Sequence, residues 1–431
     1  MASTSDALHV TPRSRRLLAV LFIVSVSVAF AATWSFNHRS TGKSLFSLAN
    51  LVGPTTSSLL HGDGLKACTE AMGTPGNPIC FHAARMPVAS LVVGLGIGLF
   101  GDHYLRVAIF KALLLLLPVE LAIYLAWKRI PPDPLRRLAM ALLLLAPFAM
   151  TPFLACVVNL QVEEGYTYSL LALAMAILLF APKEGLSRAL VLALTLDGLY
   201  LAKSAMAPAV AVLLIGYLLV ERRAVSRWLA FFVVLAAPAG WAIYQHHASG
   251  RYSIGTSLDG VNLHKGNNAA FLEHYPPPPG DTLDRFDQDL NRGMYFSDEW
   301  SFNDYHRHAA LAYIRHHPGT TLRGGWRKLR VLLLSARKVG SSEDHGAALL
   351  WETASLAVFR LMLWAAVIGS LFIAARPGPQ RLTGWIFLAL VAACILPYIA
   401  GFAYTRHASV LIYPAALMCC RMLTRHSQAS P

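Results

Sequence analysis

The sequence predicts an all-α polytopic membrane protein: about ten transmembrane helices, interfacial juxtamembrane helices and a small extracytoplasmic region. Three observations predict it. Mean hydropathy is +0.49. Of all residues, 55% are hydrophobic and 14% charged. Apolar runs of about 20 residues, the length of a bilayer crossing, recur along the chain. The bilayer core offers no water to unpaired backbone groups, so these runs must be helices.

The expected crossings are 17–37, 103–127, 138–158, 166–181, 189–202, 205–220, 228–247, 349–375, 385–403 and 408–423. Arg13, Arg15 and Arg16 precede the first run. That run is too long for a signal peptide and has no obvious cleavage site, so it reads as a retained signal anchor. The segment 88–100 is apolar too, but roughly 13 helical residues span only about 20 Å, so it is expected to lie in the interface. The basic connectors then fall on one side: Lys128 and Arg129, Lys183 and Arg188, Arg222 through Arg227, Arg376 through Arg381, and Arg421 with Arg425. The excess of cytoplasmic Lys and Arg makes that side the cytoplasm, with both termini inside. Residues 322–338 carry Arg323, Arg327, Lys328, Arg330, Arg337 and Lys338 outside. They read as a basic amphipathic helix near lipid phosphates.

Net charge is +14, from 37 basic and 23 acidic residues. In this context it marks cytoplasmic loops and contacts with membrane lipids, not nucleic acid. The chain divides into a transmembrane module at 1–248, an extracytoplasmic region at 249–348 and C-terminal helices at 349–431. The first module includes an outer loop at 35–102. Pro276-Pro277-Pro278-Pro279 forms a stiff spacer in the middle region. No fixed-period repeat is visible.

Candidate chemistry lies at the outer boundary. Asp63 sits between Gly62 and Gly64, which suits a carboxylate that must approach a substrate closely, or an ordinary loop turn. Glu163 and Glu164 open the fourth crossing as a second acid or as a helix N-terminal charge. Lys203 interrupts the apolar stretch 189–220, where a cation must snorkel or find an anion such as a lipid-carrier phosphate. Arg85 and Arg406 border apolar segments and suit bidentate phosphate binding or headgroup anchoring. Asn262, His264, Lys265, Asn267 and Asn268 gather groups able to bond sugar hydroxyls or pyrophosphate, or to stabilise a turn. Cys68 and Cys80 share the outer loop and can form a disulfide there. Asp298, Glu299, Asp304, His306 and His308 match no metal motif, so no metal site is assigned. Gly94, Gly96 and Gly98 fall in an apolar interfacial helix, which excludes a dinucleotide fold.

The order of these pieces resembles the C-type glycosyltransferases that use polyprenyl-phosphate sugars, such as the protein O-mannosyltransferases and the lipid A aminoarabinose transferase. The resemblance runs through the Gly-Asp-Gly at 62–64, Arg85-Met86-Pro87, Leu99-Phe100-Gly101-Asp102, Gly198 through Lys203, the Asn262–Asn268 motif and Ala309 through Gly319. It implies that Asp63 is the catalytic acid of the first outer loop. Glu164 or Glu163 is then the second acid, and Lys203 contacts the carrier phosphate. It further implies a bacterial inner-membrane enzyme with its site on the periplasmic face, a lipid, glycan or protein acceptor, and inversion at the sugar. The leaving group is already an anion that cations can neutralise, so no cofactor is required; a divalent metal is compatible but not indicated. Val88-Ala89 stands where members often carry Tyr-Pro, and Glu70 is displaced from the usual acidic pair; both departures concern the acceptor. Two alternatives are an O-antigen ligase or polymerase using a diphosphate-linked glycan, and a lipid or sugar-phosphate transporter. The clustering of ionisable residues at the outer boundary, not at mid-bilayer, argues against transport.

Overall fold

The computed structural model describes residues 44–48, 51–74, 77–130, 135–181, 185–276, 290–291, 294–335, 337–338, 346–378 and 380–426. The expected signal anchor at 17–37, with Arg13, Arg15 and Arg16, and Pro277 through Pro279 lie outside these residues. Two helices and a hairpin open the described chain: α1 (Val52–Leu60), then β1 (Ala67–Thr74) with β2 (Asn77–Phe81), then α2 (Val88–Phe100). The expectation of an all-α chain is therefore corrected between residues 67 and 81. The two strands pair antiparallel with Cys68 opposite Cys80, and those residues form a disulfide. A bonded cysteine pair holds together a hairpin too short to be stable alone.

The bundle follows: α3 (Tyr104–Arg129), α4 (Leu135–Met150), the short α5 (Leu154–Val158), α6 (Glu164–Phe180), α7 (Leu186–Ala202), α8 (Ala207–Val220) and α9 (Ala224–Ser249). The middle region contributes α10 (Asp259–Lys265), α11 (Ala269–His274), α12 (Glu299–His316) and α13 (Pro318–Leu334). The chain closes with α14 (Ala347–Ala375), α15 (Arg381–Ala400), α16 (Thr405–Ala408) and α17 (Ile412–His426). The apolar run 138–158 is split by a 3-10 turn at Thr151–Phe153, where Pro152 cannot donate to a continuing helix.

Among the described residues, five helical stretches are long and apolar enough to cross a membrane: Tyr104–Arg129, Leu138–Val158, Ala224–Ser249, Ala348–Ala375 and Arg381–Ala400. Val88–Phe100, Glu164–Phe180 and Ser204–Val220 are shorter apolar helices. The chain is thus a predominantly helical, membrane-associated protein. Its outward faces fit that medium: Leu117, Phe232, Leu361 and Phe372 are all more than half exposed on these long helices.

Helix α6 is the axis. From Glu164 to Phe180 nearly every side chain is buried, against α3, α7 and α17. Gly165 makes the fit close: a Cβ there would meet Leu115 Cδ1 at 2.9 Å and the Cys156 carbonyl at 3.0 Å. The N-terminus of α6 therefore sits deep against α3 and α5, and it carries the acid pair with it.

The middle region packs onto the bundle through α13. Its basic stripe is not wholly lipid-facing, which corrects the expectation for 322–338. Arg323 and Arg330 are exposed, but Lys328 is only 1% exposed. The Lys328 ammonium donates to the carbonyls of Gly266 at 2.7 Å, Ile399 at 3.1 Å and Gly401 at 2.5 Å. Burial pushes its pKa down to about 7. The three acceptors pull the other way, because only an ammonium has three hydrogens to give. Arg327 donates to the Leu272 carbonyl at 2.7 Å. In turn Arg360, on α14, donates to the Leu332 and Val331 carbonyls near the end of α13.

Candidate functional site

The site starts from Glu164, the first residue of α6, where unpaired N–H groups favour a carboxylate. Helix α7 ends at Ala202, and Lys203 turns extended (φ −161°, ψ 117°) before a 3-10 turn at Ser204–Met206. That break points Lys203 back to α6, and its Nζ lies 2.9 Å from Glu164 Oε1. Helix α16 adds two more nitrogens to the same oxygen: Arg406 Nε at 3.4 Å and His407 Nε2 at 3.6 Å. Beside them Arg85 Nη1 pairs with Glu163 Oε1 at 3.7 Å. The two glutamates thus take different partners, and Glu164 is the one at the centre.

Aromatic rings frame the cluster. His407 stacks on Tyr398 with ring centroids 4.0 Å apart, and Lys203 lies 5.6 Å from the same ring. The Tyr168 hydroxyl donates to the Arg406 carbonyl at 3.3 Å, and Ser409 Oγ lies 2.8 Å from that hydroxyl. Lys111, fully buried in α3, donates to the carbonyls of Asn159 at 2.6 Å and Val162 at 2.9 Å. It fixes the connector that leads into Glu163 and Glu164.

The cluster keeps spare polar capacity. Arg85 Nε, Arg406 Nε, Glu163 Oε1 and the Tyr166 hydroxyl are buried without a hydrogen-bond partner among the described residues. Buried donors normally find acceptors. The Arg85 guanidinium beside Glu163, with the Arg406 guanidinium and Lys203 ammonium beside Glu164, are groups of the kind that bind an oxyanion.

Asp63 stands apart from this cluster. It is exposed, between Gly62 (φ 87°) and Gly64 (φ 79°), and its carboxylate has no partner among the described residues. The left-handed backbone at both neighbours is why glycines flank it. Its turn is tethered to α9, where the Leu65 N–H donates to the Tyr244 hydroxyl at 3.0 Å. Tyr244 stacks on Trp241, which donates to the Gly255 carbonyl at 2.9 Å. The Tyr200 hydroxyl, three residues before Lys203, donates to the neighbouring Ile254 carbonyl. A continuous chain of contacts therefore links the Asp63 turn to the Lys203 break. Arg85 is held separately: Glu299 accepts from the His82 and Ala83 N–H groups, both at 3.0 Å.

The Asn262–Asn268 motif is largely structural. Asn268 caps α11 by accepting from the Phe271 N–H at 2.9 Å. Asn267 is buried and donates to the Leu263 and Ala400 carbonyls at 2.8 and 2.6 Å. Lys265 is buried over the Phe402 ring at 4.5 Å. Asn262 is exposed. His264 Nδ1 lies 2.9 Å from His306 Nδ1, and burial pushes the His306 imidazole down to about 4, with His264 adding to the shift. Asn262 and His264 are thus the more accessible groups of the motif, while Asn267 and Asn268 bond backbone groups and Lys265 lies over a ring. Asp298 and Asp304, like Glu299, are engaged by protein donors. Asp298 caps α12, and Asp304 forms a two-pronged pair with Arg251 at 2.6 and 3.2 Å.

Sequence reasoning missed Lys111, His407, Tyr168 and Ser409 as parts of the site. Lys111 had the signal that singled out Lys203, a lone cation in an apolar run; the others carry none without knowledge of the packing. Comparisons with protein-family models, curated proteins and solved structures return no match.

Proposed function

We propose that the chain is an integral-membrane glycosyltransferase that moves a sugar from a polyprenyl-phosphate carrier to an acceptor on the extracytoplasmic face. The observation that supports this reading is the convergence of Lys203, Arg406 and His407 on one Glu164 oxygen, with Arg85 on the adjacent Glu163 and its Nε without a hydrogen-bond partner among the described residues. Such a group of cations suits the phosphate of a donor whose lipid tail occupies the adjoining apolar medium. In the reaction, Asp63 takes the proton from the acceptor, whose heteroatom bonds to the anomeric carbon as the carbon–oxygen bond to phosphate breaks. Attack opposite the leaving group inverts that carbon. Lys203, Arg406 and Arg85 neutralise the departing phosphate; between turnovers Glu164 holds Lys203 and Arg406, and Glu163 holds Arg85.

The test is release of polyprenyl phosphate from a labelled polyprenyl-phosphate sugar by the full chain in nanodiscs, with membrane extract as acceptor source. Lys203→Ala is expected to lower the rate about 10²–10³-fold, the cost of removing one group that stabilises developing charge. Asp63→Asn is expected to abolish transfer while donor binding persists. Full activity of Asp63→Asn, or no release by the wild type across a panel of sugars, sinks the reading.

A further inference from the structure

A second cation-rich place lies away from the Glu164 cluster, on the exposed face of α12. Asp304, Arg307, His308, Leu311 and Arg315 recur at three- and four-residue spacing, so they share one face of that helix. Together with Arg251 and Ala312 they line an open cavity of ≈ 610 Å³ that contains none of the residues around Glu164. Its charge is unbalanced. The carboxylate, Asp304, is taken in two-pronged fashion by Arg251. Arg307 and Arg315 make no ion pair or hydrogen bond among the described residues, and both are exposed.

The depth of this cavity follows from Arg251. It stands two residues past Ser249, the last residue of the membrane-length helix Ala224–Ser249. The wall is fastened to that helix end: the Trp300 indole N–H donates to Ser249 Oγ at 2.8 Å, and the Arg251 guanidinium lies 4.9 Å from the Trp300 ring. The cavity therefore sits where an apolar crossing ends, which is the level of phospholipid headgroups. Arg307 and Arg315 are eight residues apart, about 12 Å along the helix, with Leu311 and Ala312 between them. Two arginines flanking Leu311 and Ala312 in the cavity lining suit a phosphate that carries a short organic group.

We infer that this face of α12, with Arg251, binds the phosphate of an anionic lipid headgroup at the membrane boundary. The site is independent of glycosyl transfer and stands whether or not that reading does. Arginine serves it better than lysine, because its fork matches phosphate oxygens in pairs.

Native mass spectrometry on the full chain in detergent tests it, titrating dihexanoyl phosphatidylglycerol, dihexanoyl phosphatidylcholine and inorganic phosphate. The wild type is expected to bind phosphatidylglycerol at least about tenfold more tightly than phosphatidylcholine, and Arg307→Ala/Arg315→Ala is expected to remove that preference. Inorganic phosphate at about tenfold excess should leave the lipid bound. Equal binding of the two lipids, or a double variant that binds as the wild type does, overturns the inference. Displacement by inorganic phosphate overturns it as well, since it would mark a site for free anions. Both arginines are exposed, so an unchanged thermal transition is expected of the variant. Should it fail to fold, Arg315→Gln alone is read in the same titration, with the same preference expected to weaken.

Discussion

At the scale of single residues, Lys111 shows how a buried charge can be structural and still govern a site. Its ammonium binds two carbonyls of the connector between α5 and α6, so Lys111→Met leaves those carbonyls without a donor. The expected loss is about 1–3 kcal/mol of stability, the usual cost of orphaned buried acceptors. Donor release should fall too, since the connector leads directly into Glu164. A Met variant with wild-type stability and release would show that the connector holds itself. The His264–His306 pair makes a different prediction. Unfolded, His306 titrates near its ordinary value of 6.5, whereas in the fold it does so at about 4. The unfolded chain therefore binds more protons between those values, and stability falls as pH drops through that window. Thermal unfolding between pH 7.5 and pH 4.5 should show the loss, and His306→Phe should flatten it.

At the scale of elements, the first turn of α6 is set by how closely it can approach α3 and α5. Gly165→Ala pushes a methyl against Leu115 and the Cys156 carbonyl, with an expected cost of about 1–3 kcal/mol. Denaturation of the variant measures that cost, and the same shift should separate Glu164 from Lys203. This scale also shows what the sequence could and could not reveal. Helix α2 was legible to the residue, because Arg85-Met86-Pro87 ends the loop and an apolar run of fixed length follows. The break at Lys203 was legible for the same reason: a cation cannot sit unannounced in an apolar stretch. The hairpin Ala67–Phe81 was not: the Cys68–Cys80 pair could be read, but the weak apolar alternation around it did not mark two strands. Asn267 and Asn268 looked like ligand groups because sequence does not say which polar side chains must satisfy backbone carbonyls. Convergence of Arg406 and His407 on Glu164 depends on α16 meeting α6 across more than two hundred residues, and no local pattern encodes that.

At the scale of the whole molecule, the exposed leucines separate a membrane protein from a soluble one. Leu361 stands at the middle of α14 and is 72% exposed. In water, Leu361→Arg would be harmless. In a bilayer the same change should cost about 2.5–3.5 kcal/mol of insertion free energy. A glycosylation reporter placed after α14 reads that cost as a drop in the inserted fraction; an unchanged fraction would mean that α14 does not face lipid.

The three carbonyls gathered by Lys328 have a mechanical consequence. They come from α15, from the bend that follows it and from the turn between α10 and α11, so one ammonium ties three separate segments to α13. Turning α13 about its own axis would break all three bonds at once. The surface helix is therefore a fixed strut, and Arg323 and Arg330 ride at a constant height above the end of α15, like marks on a gauge.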